Sequence, residues 1–260
     1  MKTAKGKAAV RSPADAKKFR RRVLLCILLV LAGLFFYQGG VSGFALSMAN
    51  NALIKHDAPS AERWLGIAQQ IPGSGPKVEY MLAKKARLDS DFENMADHLR
   101  TAFKSGFDVD LLEREQILAN ASLGEMDAVT EGKMNRWIAQ RGPETGDVVD
   151  AYANGLATLS RFEDAVKLLE EYEAAFPGDP MVNYRFGVMN EHKKNNPNAE
   201  KEYRQAIEKN PKHIKAAWRL ARLTASKNDP AGAIEILEKL TDGPHSLAIK
   251  TFLAHCYNQL

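Results

Sequence analysis

Three alanines, Ala165, Ala199 and Ala233, stand 34 residues apart. When the chain is laid out in 34-residue units from Gly146, Pro180 and Ile214, further columns fall into register. Tyr152, Phe186 and Leu220 share a large apolar position, followed by the small residues Ala153, Gly187 and Ala221. Leu169, Tyr203 and Leu237 share another. A proline closes each unit: Pro177, Pro211 and, one residue early, Pro244. Within a unit, Ala165, Val166, Leu168, Leu169 and Tyr172 have helical spacing. Turn-forming residues separate the two halves: Leu159-Ser160-Arg161, Asn195 to Asn198, and Asn228-Asp229-Pro230. Each unit therefore reads as a helix pair. Small residues let the two helices approach, and the closing proline forces a turn.

This period, with its small and large columns, resembles the tetratricopeptide repeat. The resemblance implies an all-α solenoid of helix pairs wound as a right-handed superhelix. The departure is at the family's Trp position, where this chain has Val149, Asn183 and Ala217; Tyr184 and Trp218 follow one place later. Weaker units extend the register upstream, with starts at 42, 76 and 110, the last two residues longer than the others. The predicted organisation is a basic tail over 1–22, an apolar anchor over 23–46, degenerate units over 42–145, clear units over 146–247, and a capping helix over 248–260. That last helix carries Ile249, Phe252, Leu253, Cys256, Tyr257 and Leu260, so 247–260 is expected to offer an oligomer or partner contact.

Charge separates the tail from the body. Residues 1–22 hold nine Lys or Arg against Asp15, so with a total of +4 the remainder carries −4. The basic balance thus describes a tail, and no nucleic-acid partner is expected. The run from Val23 to Ala49 has no charge and is long enough to cross a bilayer. The preceding cations place the N-terminus in the cytoplasm and the repeats on the non-cytoplasmic side of a single-pass protein. A cleaved signal peptide has the same order of segments, and Gly43-Phe44-Ala45 and Ser47-Met48-Ala49 would pass as cleavage sites. In that case the product is a soluble secreted or periplasmic module. Cys26 and Cys256 form no disulfide framework.

No catalytic pattern emerges. Gly73-Ser74-Gly75-Pro76 lacks the Lys-Ser/Thr of a phosphate loop, and the six histidines show no ligand pair at helical spacing. A non-enzymatic chain without metal or cofactor is expected, the other reading being the regulatory part of a larger enzyme complex. The resemblance implies that the first helix of each pair lines a concave groove. Those columns give Asn154, Tyr184, Arg185, Lys215, Trp218, Arg219 and Arg222, with a secondary set of Tyr80, Lys84, Arg87 and Arg114. Cations beside flat aromatics suit a protein or peptide partner with acids and an apolar anchor. Some family members clamp a free C-terminal carboxylate. Asn154, Lys215 and Arg219 match three of the five clamp places, while Asp150 and Arg185 occupy the other two. The expected role is a membrane-anchored interaction scaffold.

Overall fold

The computed structural model describes residues 23–27, 30, 33, 40–239 and 247–260. Its helices are α1 (Gly40–Ile54), α2 (Ala58–Gln69), α3 (Gly75–Leu88), α4 (Phe92–Lys104), α5 (Val109–Ser122), α6 (Ala128–Ala139) and α7 (Thr145–Thr158). They continue with α8 (Phe162–Ala175), α9 (Pro180–His192), α10 (Asn196–Lys209), α11 (Ile214–Ser226), α12 (Pro230–Glu238) and α13 (Leu247–Tyr257). Consecutive helices pair as α1/α2, α3/α4, α7/α8, α9/α10 and α11/α12, an all-α array of repeats. The alanines that set the period, Ala165, Ala199 and Ala233, are fully buried where the paired helices meet. Ala61 and Met95 take the same place in the first two units and are just as buried.

The turns inside the pairs share one chemistry. His56, Ser90, Gly124, Ser160, Lys194 and Asn228 each adopt a left-handed conformation, with φ between 53° and 85°. This residue ends the first helix and reverses the chain. In four units the next residue caps the second helix: Asp57, Asp91, Asn195 and Asp229 each accept a hydrogen bond from a backbone N–H three residues on. Asp127 does the same for α6, displaced by two residues. A side-chain acceptor there satisfies one of the donors that a helix start leaves open. This left-handed-then-Asx column carries the repeat into the upstream half, where the hydrophobic columns fade.

The third unit departs from the rest. Its positions for small residues hold Ile117 on α5 and Glu131 on α6. A branched side chain and a carboxylate cannot close a tight helix pair, and the two extra residues fall in its turn, between Gly124 and Asp127. α5 and α6 accordingly pack more on α7 than on each other. Glu131 turns to α7 and α8, accepting from the Tyr152 hydroxyl at 2.8 Å and from Arg161 Nη1 at 2.6 Å. α7 approaches α5 closely enough that a Cβ at Gly155 would lie inside van der Waals contact of the Ala121 carbonyl oxygen. The obstacle is backbone and cannot rotate away. Gly155→Ala is therefore expected to cost about 3 kcal/mol, the upper end of overpacking effects. Urea unfolding of the purified variant beside the parent checks this. Gly132→Ala, which would meet nothing, is the control.

At the N-terminal end, the last part of the segment predicted as anchor belongs to the repeats. Gly40 to Leu46 open α1, and Ala45 and Leu46 are buried with Ala68 and Val78 beside Trp64 and Leu82. Residues 40–46, inside the anchor bounds 23–46 and from 42 onward also inside the repeat bounds 42–145, thus lie in a helix that packs on the repeats. The predicted tail over 1–22 and much of 23–39 lie outside the described residues. Among the described residues no helix is long and apolar enough to cross a membrane. At the other end, α13 packs on α12. Ile249 and Cys256 are buried there, and Phe252 meets Trp218 edge-on at 5.0 Å between ring centres. Much of the apolar face predicted for a partner thus caps the array, leaving Tyr257 and Leu260 exposed.

Candidate binding site on the inner wall

The first helices bring their polar residues together, and the array curves enough for distant units to touch. The Lys215 ammonium at the start of α11 donates to the Leu88 carbonyl at the end of α3. Lys84 Nζ on α3 lies 2.8 Å from Glu144 Oε1 and 3.0 Å from Asp147 Oδ2. Arg87 Nε donates to Glu115 Oε2 at 2.6 Å, and Arg87 Nη2 lies 3.8 Å from Asp147. On α9, Arg185 donates from Nε to Asp150 at 3.2 Å and from Nη2 to the Gly146 carbonyl at 2.7 Å. His56, in the α1–α2 turn, reaches across to within 3.9 Å of Asp147 Oδ1. Residues from all six units thus meet at one buried network, with Glu115 and Glu144 coming from the third.

Burial and pairing set the charge states. Burial works against the Lys84 ammonium, but Asp147, Glu144 and Glu115 outweigh it and hold its pKa above the ordinary lysine value. Burial likewise works against Asp147 and Asp150. Lys84 and Arg87 for the first, and Arg185 for the second, draw the carboxylates below their usual range. For the two histidines compensation falls short, although Asp150 and Asp147 act to raise His56. Burial first, then the Lys215 charge, lowers His56 to about 4. Burial, then His56 and Lys215, lowers His213 to about 4. Both are neutral at neutral pH.

Several residues of the expected groove are engaged inside the fold. Arg185 is 2% exposed, Lys84 1% and Arg87 5%, each engaged with the chain's own acids. Tyr80 is buried, with its ring stacked on Phe107 and its hydroxyl donating to Glu115 at 3.4 Å. Trp218 is taken by Phe252. Arg114 pairs with Glu144 at 3.2 Å and covers the Trp137 ring. Arg222 is exposed and lines neither of the two cavities beside the network. Lys84, Arg87, Arg114 and Arg185 thus face the chain's own carboxylates rather than an open wall.

Two cavities flank the network. The smaller, about 270 Å³, does gather Asn154, Tyr184, Lys215 and Arg219 from three successive units, with Arg87, His192 and Asp150. Arg219 is held there by Glu191 at 2.9 Å. The larger, about 530 Å³, lies where the loops between units meet the α1–α2 turn. Its wall includes His56, Thr145, Asp147, Arg185 and His213, and the apolar residues Ile54, Pro143, Phe176 and Met181. The sequence columns missed this second site, because Thr145 and His213 lie at unit junctions, outside the groove-facing positions. Among the described residues, no group of three or more His, Cys, Asp or Glu is placed to hold a metal ion.

Comparison with known proteins agrees with the repeat reading downstream. Residues 152–213 and 194–246 match the family model described as tetratricopeptide repeat. No curated protein matches. Among solved structures the chain is similar to "MamA 41-end from Desulfovibrio magneticus RS-1", at 16% identity and a TM-score of 0.32. That alignment covers 78% of this chain and 94% of the other. "MamA RS-1 ArsTM double mutant" gives the same identity and score, over 78% of this chain and 93% of its own. Residues 152–246 thus combine helix pairs at a 34-residue step with similarity to the tetratricopeptide repeat model.

Proposed function

We propose that this chain is a non-catalytic protein-binding scaffold, held to a membrane by its apolar segment after Val23, with its repeats on the non-cytoplasmic side. The observation that carries the binding role is the smaller cavity. There Lys215, Arg219 and Arg87 stand beside Tyr184 and Asn154, with Asp150 the single acid among the lining residues. A space of about 270 Å³ admits one acidic side chain or chain end with its neighbour, rather than a long extended segment. The partner is accordingly a protein that presents a compact acidic tip. Lys215 and Arg219 supply charge-assisted hydrogen bonds, and the Tyr184 ring supplies flat apolar area. The uncharged run and the nine upstream cations support the anchor and its orientation. Tethering raises the local concentration of whatever is bound.

The test is calorimetric titration of the full chain with short acidic peptides, each with a free and an amidated C-terminus. Acidic peptides should bind, and Lys215→Ala with Arg219→Ala should weaken them about ten-fold or more, as loss of charged hydrogen bonds implies. If neither acidic series binds, the scaffold site is misplaced. Carbonate extraction of membranes from expressing cells tests the anchor: the chain should stay in the pellet, and removal of residues 23–39 should release it.

A further inference from the structure

The larger cavity holds polar groups that the fold leaves unanswered. His56 Nδ1, Thr145 Oγ1, Arg185 Nη1 and His213 Nε2 are buried and make no hydrogen bond, and all four residues line this one cavity. Thr145, Arg185 and His213 are each more than nine-tenths buried. A buried donor without a partner costs about 1–3 kcal/mol, so several around one space are a standing demand for a ligand.

The hydrogen-bond pattern says which ligand. His213 Nδ1 accepts the Ala216 N–H at 3.2 Å, capping α11, so the ring proton sits on Nε2 and that atom can only donate. A guanidinium has no acceptor, so Arg185 Nη1 also donates; the Thr145 hydroxyl can do so. Thr145 Oγ1 and His213 Nε2 have no acceptor at all, and Arg185 Nη1 has only the Asp179 carboxylate, 3.8 Å away and beyond hydrogen-bond reach. α7, α9 and α11 all begin at its wall, at Thr145, Met181 and His213, and helix starts favour negative charge. Two carboxylates also face the space, and both are already engaged. Asp147 Oδ2 makes no hydrogen bond but ion-pairs with Lys84 at 3.0 Å, and Asp179 accepts from the Tyr172 hydroxyl at 2.8 Å and from the Met181 N–H at 2.9 Å, with Arg185 Nη1 3.8 Å away. The rest of the wall is apolar, through Ile54, Pro143, Phe176, Pro177 and Met181. A volume of about 530 Å³ with a few convergent polar groups is typical of a small-molecule site.

We infer that this cavity binds a small organic acid, its carboxylate taken by Arg185, His213 and Thr145 and its apolar body lying against Phe176, Met181 and Ile54. The site is separate from the acidic-tip cavity and does not depend on it, since Lys215, Arg219 and Asn154 are absent from its lining. Because Arg185 and Asp147 belong to the ionic network, occupancy would also fasten units one, three, four and five together.

The experiment titrates the purified full chain with hexanoate and 4-phenylbutyrate, by calorimetry and by ligand-observed NMR. Hexanamide and hexanol serve as uncharged matches, and a tripeptide with a free C-terminus as the polypeptide source of the same group. Two variants report on the site. His213→Asn keeps an acceptor to cap α11 and loses the Nε2 donor. Thr145→Val keeps the shape and loses the hydroxyl. The free acids should bind saturably and raise the melting temperature, and each variant should weaken them about ten-fold while melting cooperatively without ligand. No saturable binding of either acid, equal binding of the amide and alcohol, or binding of the tripeptide alone overturns the assignment. So does undiminished affinity in Thr145→Val, which carries the variant test if His213→Asn does not fold.

Discussion

Replacing Asp147 with alanine should destabilise the protein by about 3–5 kcal/mol, the cost of breaking one side of a buried ion pair. Asp147 is 3% exposed and faces Lys84 at 3.0 Å, Arg87 at 3.8 Å and His56 at 3.9 Å. Its removal leaves Lys84, Arg87 and Arg114 with only Glu144 and Glu115, one negative charge short, and Lys84 and Arg87 are almost wholly buried. Two routes of relief are closed. Arg87 does not deprotonate, and Lys84 is held protonated by Glu144 and Glu115 as well. The damage should spread beyond α7, because Asp147 ties α3 and the α1–α2 turn to the fourth unit. Urea unfolding followed by circular dichroism measures the loss. Glu171→Ala, an exposed acid on α8, should stay within about 0.5 kcal/mol of the parent. Replacing Lys84 and Asp147 together with methionine and leucine should recover much of the stability, since an apolar pair of similar volume bears no desolvation cost. A single-variant loss below about 1 kcal/mol would mean that Asp147 does not hold Lys84 and Arg87 in place.

The sequence made the helix pair legible because its signal is local. A small residue at Ala165, Ala199 and Ala233 has one physical use, close helix approach, and it recurs at one step. The upstream units were harder to read because their hydrophobic columns are partly replaced, as at Ile117 and Glu131. Their turns kept the register in plainer form, with Asp57, Asp91 and Asp127 capping as Asn195 and Asp229 do. The pairing of charges across the inner wall was not legible for a different reason. Periodicity tells which face of a helix points inward, but not how tightly the array curves. Curvature decides whether a wall meets solvent or the opposite wall. Here Lys84 meets Asp147 and Arg185 meets Asp150 across units, so residues 63 and 35 positions apart cancel each other's charge. Nothing in a single unit's pattern encodes that match. The cavity beneath the loops was invisible for the same reason, since His56, Thr145 and His213 come from three separate junctions.

The same burial predicts a loss of stability in mild acid, well before the carboxylates titrate. His56 and His213 have folded pKa values of about 4 against 6.5 for the free side chain. Between those values the unfolded chain binds more protons than the folded one, so stability rises with pH across that window and falls as acid is added. The contribution is complete above about pH 6.5 and is lost as pH drops toward 4, at roughly 3 kcal/mol for each histidine. The two rings feel each other, and His56 also faces Asp147, Asp150, Arg185 and Lys215, so the pair titrates as a unit rather than as two independent sites. Asp147 and Asp150 have folded values below the ordinary aspartate value, so their contribution is present above about pH 4 and is lost only below it. The pH 6.5 to 4 interval therefore belongs to the histidines. A combined loss of several kcal/mol is comparable to the whole stability of many domains, about 5–15 kcal/mol. The melting temperature should fall steadily from pH 7 to pH 4.5. His56→Asn tolerates the left-handed turn and His213→Asn keeps the cap, so the double variant should fold and show a flattened profile over the same interval. A parent protein whose melting temperature stays level from pH 7 to pH 4.5 would place both rings in water and remove the buried network from the account of this fold.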